Sequence, residues 1–204
     1  MEWTVERDYA REALPKRDPE GHKGTFGEVL ALAGSVGYTG AAWLAAEGAV
    51  RGGCGLVHLG VPEDIWPVEA VKCTSAMPFP LAAEDGGLSL RALEGIREKL
   101  ARCDVLALGP GLGRRAETAE LIRRLLSETE KPAVLDADGI NALAGHIDIL
   151  DGRRGRVTVL TPHEGEFARI GDLSGGRVRA ARDFAVDHGC WLVLKGHRSL
   201  TATP

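Results

Sequence analysis

The chain has 204 residues, of which 44% are hydrophobic, enough for one sizeable domain core. Its formal charge of −4 argues against a nucleic-acid or acidic-membrane surface. No apolar run approaches the roughly 20 residues of a membrane span, and the N-terminus MEWTVERDYAREALPKRD is too charged for a signal peptide, so a cytoplasmic protein is expected.

Residues 1–22 are polar and carry Pro15 and Pro19; they read as a lead-in to a single domain over residues 23–204. From residue 28 two patterns alternate. Short β-rich runs fall at residues 29–33, 56–61, 104–109, 132–136, 157–161 and 191–195. They lack strict alternation, which predicts strands buried on both faces, as in a parallel sheet. Between them lie segments of helical period. Residues 40–51 are Ala-rich and suit close packing on a sheet. Residues 89–102 carry a stripe of Leu90, Leu93, Ile96 and Leu100, with Ser89 as the expected N-cap. Leu121, Ile122, Leu125 and Leu126 form the next stripe. Val178, Ala181, Phe184 and Ala185 are expected to face inward from a helix that Gly189 ends. Residues 62–87 hold several prolines and read as an irregular excursion. The βαβα order predicts a three-layer α/β fold with a mainly parallel central sheet and helices on both faces.

Four cysteines, Cys54, Cys73, Cys103 and Cys190, form no C-x-x-C pair. They read as reduced thiols acting as small hydrophobes, with no metal site expected. The basic doublets Arg114-Arg115, Arg123-Arg124 and Arg153-Arg154 read as solvated surface.

Five signatures sit just past strands, where open α/β sheets bind ligands. AGSVGYTGAA puts Gly34, Gly37 and Gly40, with Ser35, between the first strand and its helix, where the helix N-terminal N–H groups can meet an anion; a turn needed only for packing explains it equally. GPGLG (residues 109–113) is a rigid turn with exposed amides, favouring a ligand loop. DADGINAL places Asp136 at a strand end as a candidate carboxylate for Mg²⁺, with Asp138 expected as a helix cap. TPHEGEF presents Thr161 and His163 at the next strand end; zinc is not expected, since no second His stands at ligand spacing. LVLKGH ends in Lys195, able to meet a nucleotide phosphate as a point charge, or simply solvent.

In this order, HKGTFG…AGS, GPGLG, DADGINAL, LTPHEGEFARI and LVLKG resemble the ADP- or ATP-dependent NAD(P)H-hydrate dehydratase family, whose fold is ribokinase-like. The resemblance runs from about His22 to the last residue. It implies repair of the S epimer of hydrated NADH or NADPH: the ring hydroxyl is phosphorylated from ADP or ATP with Mg²⁺, and phosphate is then eliminated. It implies that Ala41, Gly111, Gly113 and His163 line the hydrate pocket. It places Lys195, Gly196, His197, Arg198 and Ser199 near the adenine nucleotide, although His197 and Arg198 depart from the small residues usual there. It also implies a homo-oligomer and functional pairing with an NAD(P)H-hydrate epimerase. The family's catalytic Asp belongs to a Gly-Ser-Gly-Asp turn that does not occur in these 204 residues, so a fragment or degenerate copy with poor turnover is expected. Two other readings stay open: a ribokinase-like kinase for a small vitamin precursor, and a non-catalytic dinucleotide-binding protein.

Overall fold

The computed structural model describes residues 3–204. Ten strands are β1 (Glu28–Leu32), β2 (Leu56–Pro62), β3 (Met77–Leu81), β4 (Ala83–Glu84), β5 (Gly87–Leu88), β6 (Val105–Leu108), β7 (Ala133–Leu135), β8 (Thr158–Leu160), β9 (Trp191–Leu194) and β10 (Leu200–Ala202). The helices are α1 (Arg7–Ala13), α2 (Thr39–Arg51), α3 (Trp66–Lys72), α4 (Leu93–Ala101), α5 (Ala116–Glu128), α6 (Asp138–Asn141), α7 (Asp148–Asp151), α8 (Glu164–Phe167) and α9 (Arg177–His188).

Eight strands form one sheet in the order β10-β9-β8-β7-β6-β1-β2-β3. Seven run parallel, and β10 is antiparallel to β9. β4 and β5 make a separate hairpin. The parallel strands carry apolar residues on both faces because helices cover both. One large core runs beneath α4, α5 and α9, with Ile96, Leu121, Leu125, Phe167 and Ala185 fully buried. A smaller core under α2 is built from Ala42, Ala46, Val57 and Leu59. The small residues of α2 let that helix lie close to β1 and β2.

Each of the six expected strands is present, but four expectations need correction. The excursion at residues 62–87 is ordered: it contains α3, β3 and half of the small hairpin. Pro78 and Pro80 do not break β3 because they share one parity along it, so only one side of the strand loses donors. β3 is an edge strand and has such a side to spare. Ser89 precedes a short 3₁₀ turn but makes no side-chain cap; Glu117 Oε1 accepts from the Leu90 N–H instead, at 2.7 Å. Val178 is 44% exposed, whereas Ala181, Phe184 and Ala185 are buried as expected.

Arg153, expected on the surface, is buried instead. It is 1% exposed and is the largest fully buried side chain. Its guanidinium donates to the carbonyls of Leu126, Thr129 and Lys131 and to Thr158 Oγ1, at 2.7–2.9 Å. It therefore satisfies the C-terminal end of α5 and ties it to the start of β8. Burial holds its pKa below the usual arginine value.

The lead-in contains α1, none of whose residues is buried. Residues 1 and 2 of that segment lie outside the described residues. No helix among the described residues is long and apolar enough to cross a membrane.

Candidate active site

The parallel strands β1, β6, β7, β8 and β9 are neighbours, so their C-terminal loops all emerge at one edge of the sheet. Gly34, Gly109, Asp136, Thr161 and Lys195 therefore share that edge, as the strand-end motifs predict.

Two groups form along it. The first joins the loop after β1 to the loop after β6. The Gly34 N–H donates to Pro110 O at 2.8 Å, and Ser35 Oγ donates to Gly111 O at 2.7 Å. Gly111 has φ +67°, and a Cβ there would lie 2.8 Å from Ala41 Cβ and 2.9 Å from Tyr38 Cβ. Only glycine permits this approach, and it puts Ala41 and Gly111 side by side. A Cβ on Gly113 would sit 3.7 Å from Ser35 Oγ. Four residues separated by up to 78 positions (Ser35, Ala41, Gly111 and Gly113) thus share one wall. The β4–β5 hairpin leans on it, since Gly86 O accepts from the Val36 N–H at 2.9 Å.

The second group lies after β7, β8 and β9. Asp136 Oδ1 accepts from Lys195 Nζ and from Thr161 Oγ1, each at 2.8 Å. Glu166 Oε2 stands 3.9 Å from the same ammonium. The Lys195 side chain stays 41% exposed, so its charge is oriented rather than hidden. Arg177 orders the next turn by donating to the carbonyls of Lys195 and Arg198. It also pairs with Glu164 at 2.7 Å. Gly196 is pressed against the Arg177 guanidinium, and Ser199 Oγ donates to Gly196 O. His197 and Arg198 are exposed. Arg177 had no signal in the sequence, because nothing local marks a helix-start arginine that folds back on a turn about 20 residues later.

His163 serves as the N-cap of α8. Its Nδ1 accepts from the Glu166 N–H at 3.2 Å, and Glu166 Oε2 accepts from the His163 N–H at 2.9 Å. This reciprocal pair is a capping box with imidazole in the usual Ser/Thr place. The ring remains 57% exposed. His163→Ala is expected to cost about 1 kcal/mol of stability through the lost cap, and His163→Asn to recover most of it. Urea unfolding of the three proteins checks this; equal midpoints would mean the cap contributes nothing.

Asp138 is not the expected cap. Ala137 holds the cap position, in the strained conformation φ 49°, ψ −115°. That twist turns the two aspartates to different tasks. Asp136 faces Lys195. Asp138 accepts from the Gly113 N–H at 2.9 Å and from Asn141 Nδ2 at 3.0 Å. It thereby anchors the end of the GPGLG loop. A hollow of about 170 Å³ opens beside this anchor, lined by Gly113, Arg114, Asp138, Asn141 and Arg169 among others.

Residues 29–204 match the family model described as NAD(P)H-hydrate dehydratase. The bifunctional NAD(P)H-hydrate repair enzyme of Moorella thermoacetica is 43% identical over 202 residues, covering 96% of this chain and 38% of that protein. The ADP-dependent (S)-NAD(P)H-hydrate dehydratase of Bacillus subtilis is 35% identical, covering 99% of this chain and 69% of that protein. The solved structure of an ADP/ATP-dependent NAD(P)H-hydrate dehydratase from B. subtilis, co-crystallised with ATP/Mg²⁺, superposes with a TM-score of 0.72 at 28% identity. It aligns with 97% of this chain and 68% of its own. The chain spans about two fifths of the length of the bifunctional relatives it matches.

Proposed function

Because this chain belongs to the NAD(P)H-hydrate dehydratase family, we propose that it takes part in the ADP- or ATP-dependent repair of hydrated NADH or NADPH, S epimer. The observation that carries this reading is the pairing of two unlike walls at one sheet edge. The Gly34–Ser35–Ala41–Gly111–Gly113 wall is compact and built of small residues, with the Asp138 carboxylate bonded to its Gly113 end, which suits close approach of a flat ring and its hydroxyl. The opposite group centres on an oriented, part-exposed ammonium, Lys195, which suits a nucleotide phosphate. His163 lies at the head of α8 beside this group; its cap to Glu166 fixes the ring's orientation and leaves it exposed for the hydrate contact proposed for it.

Asp136 fits a role toward Mg²⁺. Magnesium is commonly held by one or two carboxylates together with the phosphates of its nucleotide. Asp136 offers one such carboxylate, part-exposed and adjacent to Lys195. When bound, the metal would draw charge from the phosphates. Lys195 and Thr161 would hold the Asp136 carboxylate in place.

Spectrophotometry tests the reading. Protein is mixed with NADH hydrate, ADP or ATP, and Mg²⁺, and absorbance of the reduced nicotinamide is followed. Its recovery supports repair, whereas a stable phosphorylated product would indicate a kinase of the same fold. Lys195→Ala is expected to weaken nucleotide binding about 10–100-fold, the worth of one charge-assisted hydrogen bond. Calorimetric titration with ADP checks that figure. An unchanged affinity would remove Lys195 from the site.

A second reading, binding without turnover by these 204 residues, has its own support. Among the described residues of this edge, Asp136, Asp138 and Glu166 are each held by hydrogen bonds from Lys195 and Thr161, from Gly113 and Asn141, and from the His163 N–H. Each of the three is thus already engaged through at least one carboxylate oxygen, for which a substrate hydroxyl would have to compete. Hydrate and nucleotide titrations that saturate while absorbance stays flat would favour it. A cytoplasmic setting, a homo-oligomeric assembly and a partner epimerase activity are part of the same proposal.

A further inference from the structure

We propose that Glu28, His58 and Cys103 form a binding site for a borderline divalent metal, zinc being the natural occupant, at the edge of the sheet opposite the crevice. The three residues are 30 and 45 positions apart in sequence. Glu28 opens β1, His58 lies in β2, and Cys103 closes the turn from α4 into β6. β1 pairs with both β2 and β6, so the fold itself brings them together. One ligand atom from each lies within 4.8 Å of the other two. His58 Nε2 and Glu28 Oε2 are 3.3 Å apart.

The spacing is compatible with three corners of a tetrahedron. Zinc bonds of about 2.0–2.3 Å put neighbouring ligand atoms roughly 3.3–3.7 Å apart. The Glu28–His58 pair already has this spacing. The thiol lies within 4.8 Å of both, so a shift of at most about 1.3 Å brings it to the same spacing. Its present contact is a weak one to Lys99 O at 3.4 Å. Thiol, imidazole and carboxylate together are a borderline set that suits zinc or cobalt and disfavours magnesium or calcium. Burial also matters. Cys103 is fully buried, and Glu28 and His58 are part-buried, so a metal there would be shielded from exchange. The backbone supports the site, since Asp104 Oδ2 accepts from the Glu28 N–H at 2.8 Å and fixes the start of β1. Such outer contacts orient ligands in metal sites. No motif announces the site, because its donors come from three separate elements.

A metal at this place would staple β1, β2 and the entry to β6, closing two long loops. It would be structural and independent of the repair reading, since the crevice lies at the other end of the strands.

The test uses the full 204-residue chain after dialysis against a chelator. Cobalt(II) is added first, then zinc. One equivalent of cobalt should bind with a thiolate-to-cobalt charge-transfer band in the near ultraviolet, and zinc should abolish that band. Zinc should also raise the melting temperature. Cys103→Ala should remove the band and lower zinc affinity by at least ~100-fold, beyond what loss of an outer contact costs. His58→Ala should cancel the zinc-induced rise in melting temperature. If Cys103→Ala does not fold, Glu28→Gln and His58→Gln carry the affinity and melting-temperature measurements, each being expected to weaken zinc binding and reduce the zinc-induced rise. The proposal is overturned if zinc leaves the melting temperature unchanged. It is equally overturned if the charge-transfer band survives Cys103→Ala, which would assign the metal to one of the other three cysteines, Cys54, Cys73 or Cys190.

Discussion

Arg153→Ala is expected to lower the free energy of unfolding by about 3–5 kcal/mol, the scale for removing one partner from a buried charged network. The loss comes from the groups it strands. The guanidinium serves three backbone carbonyls and one hydroxyl in a site closed to solvent. Alanine leaves them unpaired, at about 1–3 kcal/mol for each that water cannot reach, and adds a cavity. Arg153→Lys keeps the charge but has three donors on a single nitrogen, so it cannot reproduce the fork; an intermediate loss is expected. Arg153→Met removes the cost of burying a charge but still strands the carbonyls, and should resemble alanine more than lysine. Urea unfolding followed by circular dichroism reads all three. The midpoint should fall with an unchanged slope. A loss below ~1 kcal/mol for alanine, the net worth of a single ordinary hydrogen bond, would show that water replaces the guanidinium. The α5 end would then be held by other contacts.

Arg153 belongs to a basic doublet in a polar stretch, and such doublets usually lie on the surface. Its burial depends on where α5 ends in space, and local pattern does not carry that. The strands of the sheet were legible because each is a short apolar run with a glycine, carboxylate or histidine after it. β3 was not, since two prolines in MPFPL resemble a turn until its edge position is known. β10 was hidden for a related reason: three half-exposed residues on an outer strand carry no apolar signature. At the candidate site, the shared edge of Gly34, Gly109, Asp136, Thr161 and Lys195 followed from strand order alone. The division of labour between Asp136 and Asp138 did not. It depends on the backbone twist at Ala137, a strained conformation that alanine does not advertise. The cap made by His163 was hidden because imidazole seldom takes that part.

Gly109→Ala is expected to cost about 2–6 kcal/mol of stability, from backbone strain and overpacking together, and also to weaken nucleotide binding as much as Lys195→Ala does. Gly109 has φ +128°, outside the range of an L side chain, which contributes about 1–3 kcal/mol of strain. An added Cβ would stand 1.8 Å from Asp136 O and 2.6 Å from Gly139 N, both backbone atoms that no rotamer change can clear. Forced room of that kind costs a further ~1–3 kcal/mol. Relief requires the end of β7 to move away from the end of β6. That motion carries Asp136 with it, and Asp136 is what holds Lys195 Nζ at 2.8 Å. The effect should therefore reach the ammonium through the backbone, although Gly109 touches neither side chain. Gly111→Ala provides the contrast. Its Cβ would meet the Cβ atoms of Ala41 and Tyr38 at 2.8 and 2.9 Å, a milder overlap than the 1.8 Å one at Gly109, although Cβ atoms move only with their backbone. It should cost less stability and disturb the hydrate wall rather than Lys195. Titrating both variants with ADP and with the hydrate separates the two walls: Gly109→Ala should lose nucleotide affinity, and Gly111→Ala should lose hydrate affinity. If Gly109→Ala folds with its nucleotide affinity intact, Asp136 does not position Lys195 for the nucleotide, and the coupling between the β6 loop and the ammonium must be abandoned.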